Sequence, residues 1–368
     1  MKITKIESYL RDDIPVCRVH TDTGETGTGQ CSTYGGAVTV KVLHEVVAPL
    51  ALGKDPLKTE AIADRVIDRT MKFPGSFVRR ALSGLDTALW DLKGKLFGQP
   101  VAKLLGGPVR DPVPMYASSM RRDISPEDEA ERLSRLVREQ GFGAVKIRIG
   151  TGPNAPMGSD GDMYPGRTEA LVETVRKALG HEVRINVDAN STYTAHKAIR
   201  VGRTLERFGV FHFEEPCPYP DIESTREVAA ALDVYVAGGE QDNILHQFRR
   251  MVAMRAVDIV QPDILYIGGI CRARRVAMLA HEFGLACTPH AANRAMVQLF
   301  TLHLASAMPN CLYEQEWTIE STARSDGLLE RPLEIEDGAV KVPEGPGWGI
   351  EVSEDWLSEA ECRVSTLD

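Results

Sequence analysis

The sequence predicts a two-domain α/β protein, an N-terminal α+β domain followed by a TIM-type barrel. Two observations carry this. Eight short apolar runs alternate with amphipathic helical stretches over about two hundred residues, which is the arithmetic of eight βα units. Several runs are apolar almost throughout, as strands covered on both faces must be. Ahead of them lies a segment of different texture, with alternating strands first and helices after. A doubly wound sheet would need a Gly-rich phosphate turn after an early strand, and none is present.

In chain order, residues 2–10 and 16–21 alternate like strands, and Asp22-Thr23-Gly24-Glu25 reads as a turn into a third. Residues 38–53, 58–71 and 76–98 carry helical spacing. In the last of these Ala81, Leu85, Ala88, Leu89, Leu92 and Leu96 share a face. Gly106-Gly107-Pro108 ends the region. The predicted barrel strands are 113–119, 144–149, 183–189, 210–216, 234–240, 257–263, 285–290 and 311–316. A glycine- and proline-rich loop, 150–167, follows the second. The domains are therefore expected at 1–112 and 113–331, with 332–368 returning to the first.

The chain has 368 residues, 43% hydrophobic and 26% charged, the composition of a soluble globular protein. A net charge of −9 argues against nucleic-acid or acidic-membrane partners. It leaves room for a small anionic substrate, because a metal and nearby cations can invert the field in one cleft. The chain opens directly into a strand pattern and holds no apolar run long enough to span a bilayer, so a cytoplasmic location is expected. Seven cysteines without a CxxC point to free buried thiols rather than disulfides or zinc.

Active sites in this fold sit at the C-terminal strand ends. Those ends carry Lys146 and Arg148, Asp188, Glu214 with Glu215, Glu240, Asp263, His290, and Glu314 or Glu316. Successive members are one βα unit apart, so they share one height. Any one carboxylate would be an ordinary rim acid. Three neighbours at one height, Asp188, Glu214 and Glu240, repel and need a cation between them. All-oxygen ligands select a hard ion, Mg²⁺ before Mn²⁺ or Ca²⁺.

Further motifs match a family. Ile185-Asn186-Val187-Asp188-Ala189-Asn190, Phe213-Glu214-Glu215-Pro216, Gly238-Gly239-Glu240, Gln261-Pro262-Asp263 with Ile267-Gly268-Gly269, and Thr288-Pro289-His290 resemble the enolase superfamily, and within it the mandelate racemase-like group. Ser83-Gly84-Leu85-Asp86-Thr87-Ala88-Leu89-Trp90-Asp91, Gly98-Gln99-Pro100 and Leu104-Leu105-Gly106-Gly107 extend the resemblance over nearly the whole chain. It implies a capping α+β domain, a (β/α)7β modified TIM barrel, an enolate stabilised by Mg²⁺ on Asp188, Glu214 and Glu240, and Glu215 behind the ligands. Relatives commonly form even-numbered homo-oligomers, so a dimer or an octamer is expected.

His290 is the candidate base, with Asp263 one strand earlier able to hold its other nitrogen. A lone barrel histidine is more often structural, but the Asp263 pairing beside three carboxylates favours chemistry. Lys146 and Arg148 share parity and face the barrel mouth. Many relatives place lysine at both positions and use the second as an opposing base. Arg148 stays protonated, so it suits a carboxylate clamp and disfavours a two-base racemase. Either residue pairing with the triad is the alternative.

Asn190 shares the inward face of Asp188 and is a candidate substrate contact, or a loop hydrogen bond. Glu314 is preferred over Glu316 as the eighth-strand residue aimed at the substrate carboxylate. His212 reads as a core histidine below Glu214. Tyr164 is either a loop tyrosine or an acid/base partner of Arg148, and Tyr34-Gly35-Gly36 either a lid element or a turn. The leading function is dehydration of an acid sugar to a 2-keto-3-deoxy acid. Racemisation or epimerisation of a 2-hydroxy acid comes second, and a non-catalytic barrel would show a broken ligand set that is not seen here.

Overall fold

Alternating burial folds the N-terminal segment into an antiparallel meander of β1 (Ile3–Arg11), β2 (Ile14–Thr21) and β3 (Thr26–Gln30). Asp12 and Asp13, both at positive φ, make the first turn. The structure is a computed structural model and describes residues 1–368 except 73–74, 153, 293–294, 321–322 and 368. Pro153 of the long loop and the terminal Asp368 thus lie outside the described residues.

The helix Ser76–Phe97 packs on this sheet through Gly84, Ala88 and Leu92, buries Leu82 on its barrel side near Gly268, and ends at Gly98 in the left-handed region, φ 60°. Helix and β3 approach so closely that a β-carbon at Gly27 or Gly29 would meet Ala88 O at 2.2 Å or Thr87 Oγ1 at 2.3 Å. Only glycine fits there. Asp91 fastens the contact by accepting the Thr28 N–H at 2.8 Å.

The barrel strands are β4 (Val113–Ser118), β5 (Ala144–Arg148), β6 (Arg184–Asp188), β7 (His212–Glu214), β8 (Tyr235–Gly238), β9 (Ile259–Val260), β10 (Ala286–Cys287) and β11 (Gln315–Thr318). They are parallel, in the order β10-β9-β8-β7-β6-β5-β4-β11. A helix follows each of the first seven: Pro126–Gln140, Arg167–Leu179, Ala195–Arg207, Ile222–Ala231, Leu245–Ala253, Ile270–Glu282 and Met296–Ala307. After β11 the chain makes β12 (Ala339–Val340), antiparallel to β4, and then β13 (Glu361–Thr366), antiparallel to β1. The modified barrel and its capping domain are therefore both present.

One strand departs from expectation. The eighth was predicted at 311–316 and lies at Gln315–Thr318. The run Cys311-Leu312-Tyr313 is apolar, but it is still part of the turn under the barrel. Asn310 spends its side-chain amide on Ala277 O and Leu285 O, Leu312 is exposed, and Tyr313 packs edge-on against Phe211 on the barrel floor. Among the described residues, no helix is long and apolar enough to cross a membrane, and all seven cysteines are free thiols.

Candidate active site

Strand register sets the height of the acidic residues. Arg148 lies opposite Asp188 across β5–β6, and Asp188 opposite Glu214 across β6–β7. Glu240 follows the end of β8 by two residues. Candidate ligand atoms of Asp188, Glu214 and Glu240 lie within 4.8 Å of one another, and all three residues are buried. They offer oxygen donors only, and Glu240 Oε2 is buried without a hydrogen bond. Burial, reinforced by Glu214, pushes the Glu240 carboxyl up. A hard divalent ion fits this donor set.

His290 stands beside the triad. Its Nδ1 is 2.7 Å from Asp263 Oδ2 and its Nε2 3.3 Å from Glu240 Oε2. Burial pulls the imidazole's pKa down, but the carboxylates of Glu240, Glu316 and Asp263 outweigh it and raise it to about 10. Sharing Glu240 with a cation would relax this pull and free the imidazole to act as a base.

Lys146 is fully buried. Its Nζ lies 2.9 Å from both Glu214 oxygens and 2.8 Å from Glu316 Oε1. Burial alone would depress its pKa, and the two carboxylates raise it instead. Arg148 pairs with Asp188 and also donates to Ser119 O and Asn190 Oδ1. Both residues therefore pair with the triad, the alternative weighed for either one. Asn190 is a loop bracket, with its Nδ2 on Asp188 and its Oδ1 taken by Arg148 and Arg122.

Glu314 is corrected. It precedes β11, at the far end of the barrel, where it pairs with Arg184 at 2.8 Å. Glu316 takes the place expected of it. Its Oε1 accepts from Ser118 Oγ at 2.8 Å and its Oε2 from Ala291 N at 2.8 Å, with His290 Nε2 3.8 Å away. Burial raises its pKa less than Lys146 and His290 lower it, so it stays ionised, near 2. In both of these hydrogen bonds it is the acceptor.

Tyr164 is half-exposed in the long loop, and its described contact is a backbone one to Arg167 rather than a pairing with Arg148. Tyr34 lies over the mouth, its ring 6.2 Å from that of Tyr266, which is 6.0 Å from the His290 ring. His212 lies buried beneath Glu214, 3.5 Å from its Oε2. The strand ends did not point to Gln261, which donates to Glu214 at 3.0 Å, to Arg80, which reaches from the helix Ser76–Phe97 over the face of Tyr266, or to the loop residue Arg122 on Asn190. Parity could have found Gln261, which lies two residues before Asp263. Arg122 sits on a connection, where sequence carries no periodic signal, and Arg80 sits on a cap helix, outside the barrel strand ends.

Residues 4–106 match the mandelate racemase/muconate lactonizing enzyme N-terminal domain, and residues 128–356 the enolase C-terminal domain-like family. The chain belongs to the mandelate racemase-like group of the enolase superfamily. Within that group it is 30% identical to the arabinonate dehydratase of Saccharolobus solfataricus, over 95% of this chain and 91% of that one. It is 31% identical to the D-galactarolactone cycloisomerase of Agrobacterium fabrum, over 98% of each. In structure it matches a Roseobacter denitrificans protein provisionally named a racemase, with a TM-score of 0.96 and 48% identity over 100% of both chains. A mandelate racemase/muconate lactonizing protein of Paracoccus denitrificans, complexed with magnesium, superposes with a TM-score of 0.89 at 32% identity, over 100% of this chain and 98% of that one.

Proposed function

We propose that this enzyme is a Mg²⁺-dependent acid-sugar dehydratase in which His290 serves both proton transfers. The observation that carries the proposal is the asymmetry of the mouth. One side holds an imidazole braced by Asp263 at 2.7 Å, and the other holds Arg148, a permanent cation tied to Asp188. A one-base site of this kind suits elimination better than racemisation, which needs a proton donor on the opposite face. The dehydratases among the relatives support the same reaction class.

A proton next to a carboxylate is very weakly acidic, because its loss places a second negative charge on the carboxylate oxygens. Mg²⁺ held by Asp188, Glu214 and Glu240 would supply Lewis-acid stabilisation of that charge. Lys146, fixed between Glu214 and Glu316, adds a positive charge at the same place. His290 Nε2 takes the α-proton while Asp263 holds Nδ1. The electron pair left on the α-carbon forms the double bond to the β-carbon as the β-hydroxyl departs. The imidazolium returns its proton to that oxygen, which leaves as water. One imidazole serving both steps requires syn geometry, and the enol product then tautomerises to a 2-keto-3-deoxy acid.

The test is a screen of acid sugars with Mg²⁺, detecting 2-keto-3-deoxy products, repeated with His290→Asn. The proposal predicts product with the parent enzyme and loss of both product and α-proton exchange in the variant. The name given to the Roseobacter denitrificans relative favours a second reading, epimerisation. Rapid α-proton exchange in deuterated water without dehydration of any acid would decide for it.

A further inference from the structure

Arg122 is a half-buried cation held by neutral acceptors. It lies in the connection after β4, folded over the ends of β5 and β6. Its Nε donates to Ile149 O at 3.3 Å and its Nη2 to Asn190 Oδ1 at 2.7 Å. Among the described residues no carboxylate pairs with it. Arg148 donates to the same Asn190 oxygen at 3.3 Å, so two guanidinium groups meet over one neutral acceptor. Asp188, the carboxylate at hand, is already engaged by Arg148 and by both nitrogens of Asn190. Burial, with repulsion from Arg148 and Arg167, draws the Arg122 pKa down to about 9. The long loop closes over the side chain, since a β-carbon at Gly152 would meet Arg122 Cδ at 3.1 Å.

A cation held partly out of water beside like charges is stabilised when an anion joins it. The acid end of the substrate belongs with Lys146 and the triad, and the α-carbon must lie within reach of His290 on the β10 side. Arg122 is across the mouth, on the β4–β6 side, where it meets the far end of a sugar chain. Its planar fork matches a carboxylate. We infer that Arg122 receives a second, distal carboxylate, so that the substrates are sugar diacids oxidised at both ends rather than monoacids. For the reaction this rests on the dehydratase reading; for binding it does not.

The probes are matched pairs that differ only in oxidation of the terminal carbon, galactarate with galactonate and glucarate with gluconate. The parent enzyme should prefer the diacid of the productive pair roughly 100-fold in kcat/KM, as a site built to bind a polar group rejects the analogue that lacks it. Arg122→Met should bring that ratio close to one. Arg122→Lys should retain part of it, since it keeps the charge and loses the fork. Calorimetry on His290→Asn, which cannot turn over, should show the same ratio in Kd. Equal use of both members of each pair, binding of neither, or a proportional loss for both in Arg122→Met overturns the inference and leaves dehydration standing. Arg122-dependent preference for a diacid in binding, without dehydration of any acid, sinks the dehydratase reading and leaves this subsite standing.

Discussion

Asp263 braces His290 from a fixed direction. Its Oδ2 lies 2.7 Å from the imidazole Nδ1, while its Oδ1 accepts the backbone N–H groups of Leu265 and Tyr266 at 2.7 and 3.0 Å. Those two donors open the short helix Ile264–Ile267, so the carboxylate is an N-cap as well as the partner of His290. It cannot turn without losing three hydrogen bonds, and Nε2 is left as the nitrogen that faces the triad.

Replacing Asp263 with Asn tests that arrangement. An amide cannot accept on both ends, so it satisfies either the helix N-terminus or Nδ1–H. The imidazole then loses its fixed tautomer. We expect kcat to fall by about 10²–10⁴, the range of a general acid–base contribution. Circular dichroism should show the fold intact. A loss of less than tenfold would mean that Asp263 serves the helix alone.

The metal prediction has a readout that does not need substrate. Ligand binding to the native state raises Tm by mass action. Millimolar Mg²⁺ should raise the Tm of the parent enzyme and leave that of Glu240→Gln unchanged, because the substitution removes one anionic ligand of three. Full activity in excess chelator, or an equal thermal shift in both proteins, would refute the assignment.

Much of the site was legible in the sequence because barrel geometry turns spacing into position. Asp188, Glu214, Glu240, Asp263 and His290 each fall one βα unit after the last, and the register of β5 to β7 brings the first of them level. The eighth strand broke the rule. There an apolar run, Cys311-Leu312-Tyr313, serves the barrel floor, and reading it as strand placed Glu314 too high by the length of the strand. Arg122 and Arg80 were illegible for a different reason. Arg122 lies on a connecting segment and Arg80 on the cap helix Ser76–Phe97, and their positions follow from how that loop and the cap fold over the mouth.

Glu314 and Glu316 should therefore differ in stability effect. Glu316→Gln breaks one of the two fully buried pairs of Lys146 while Glu214 stays on the lysine, and costs about 1.5–3 kcal/mol, the range of a hydrogen bond to a charged group. Glu314→Gln removes a pair whose Arg184 side chain is 46% exposed, and costs about 1 kcal/mol or less. Urea unfolding of both variants measures this directly. Similar costs for the two would contradict the placement of β11.

Asp86 gives a pH prediction away from the chemistry. It projects from the helix Ser76–Phe97 of the cap onto the N-terminus of Ile270–Glu282 in the barrel, where its Oδ1 accepts Cys271 N at 3.3 Å. Gly269, at φ 102°, leaves it room, since a β-carbon there would lie 2.2 Å from Oδ1. The other oxygen is buried without a partner. Burial raises the carboxyl from 3.8 to about 7, against the backbone donors that lower it. Below pH 3.8 both folded and unfolded chains carry the proton, and the group's contribution is fully present. As pH rises the unfolded chain ionises first, and the contribution is lost by the time pH passes about 7. The loss is on the order of 4 kcal/mol. Asp86→Asn has no such slope, and all other titrating groups cancel between the two proteins. The Tm of the variant minus that of the parent should therefore grow from pH 4 to pH 7 and level off above it. A difference that stays constant from pH 5 to 8 would show that Asp86 is ionised throughout, with its charge carried by the helix N-terminus.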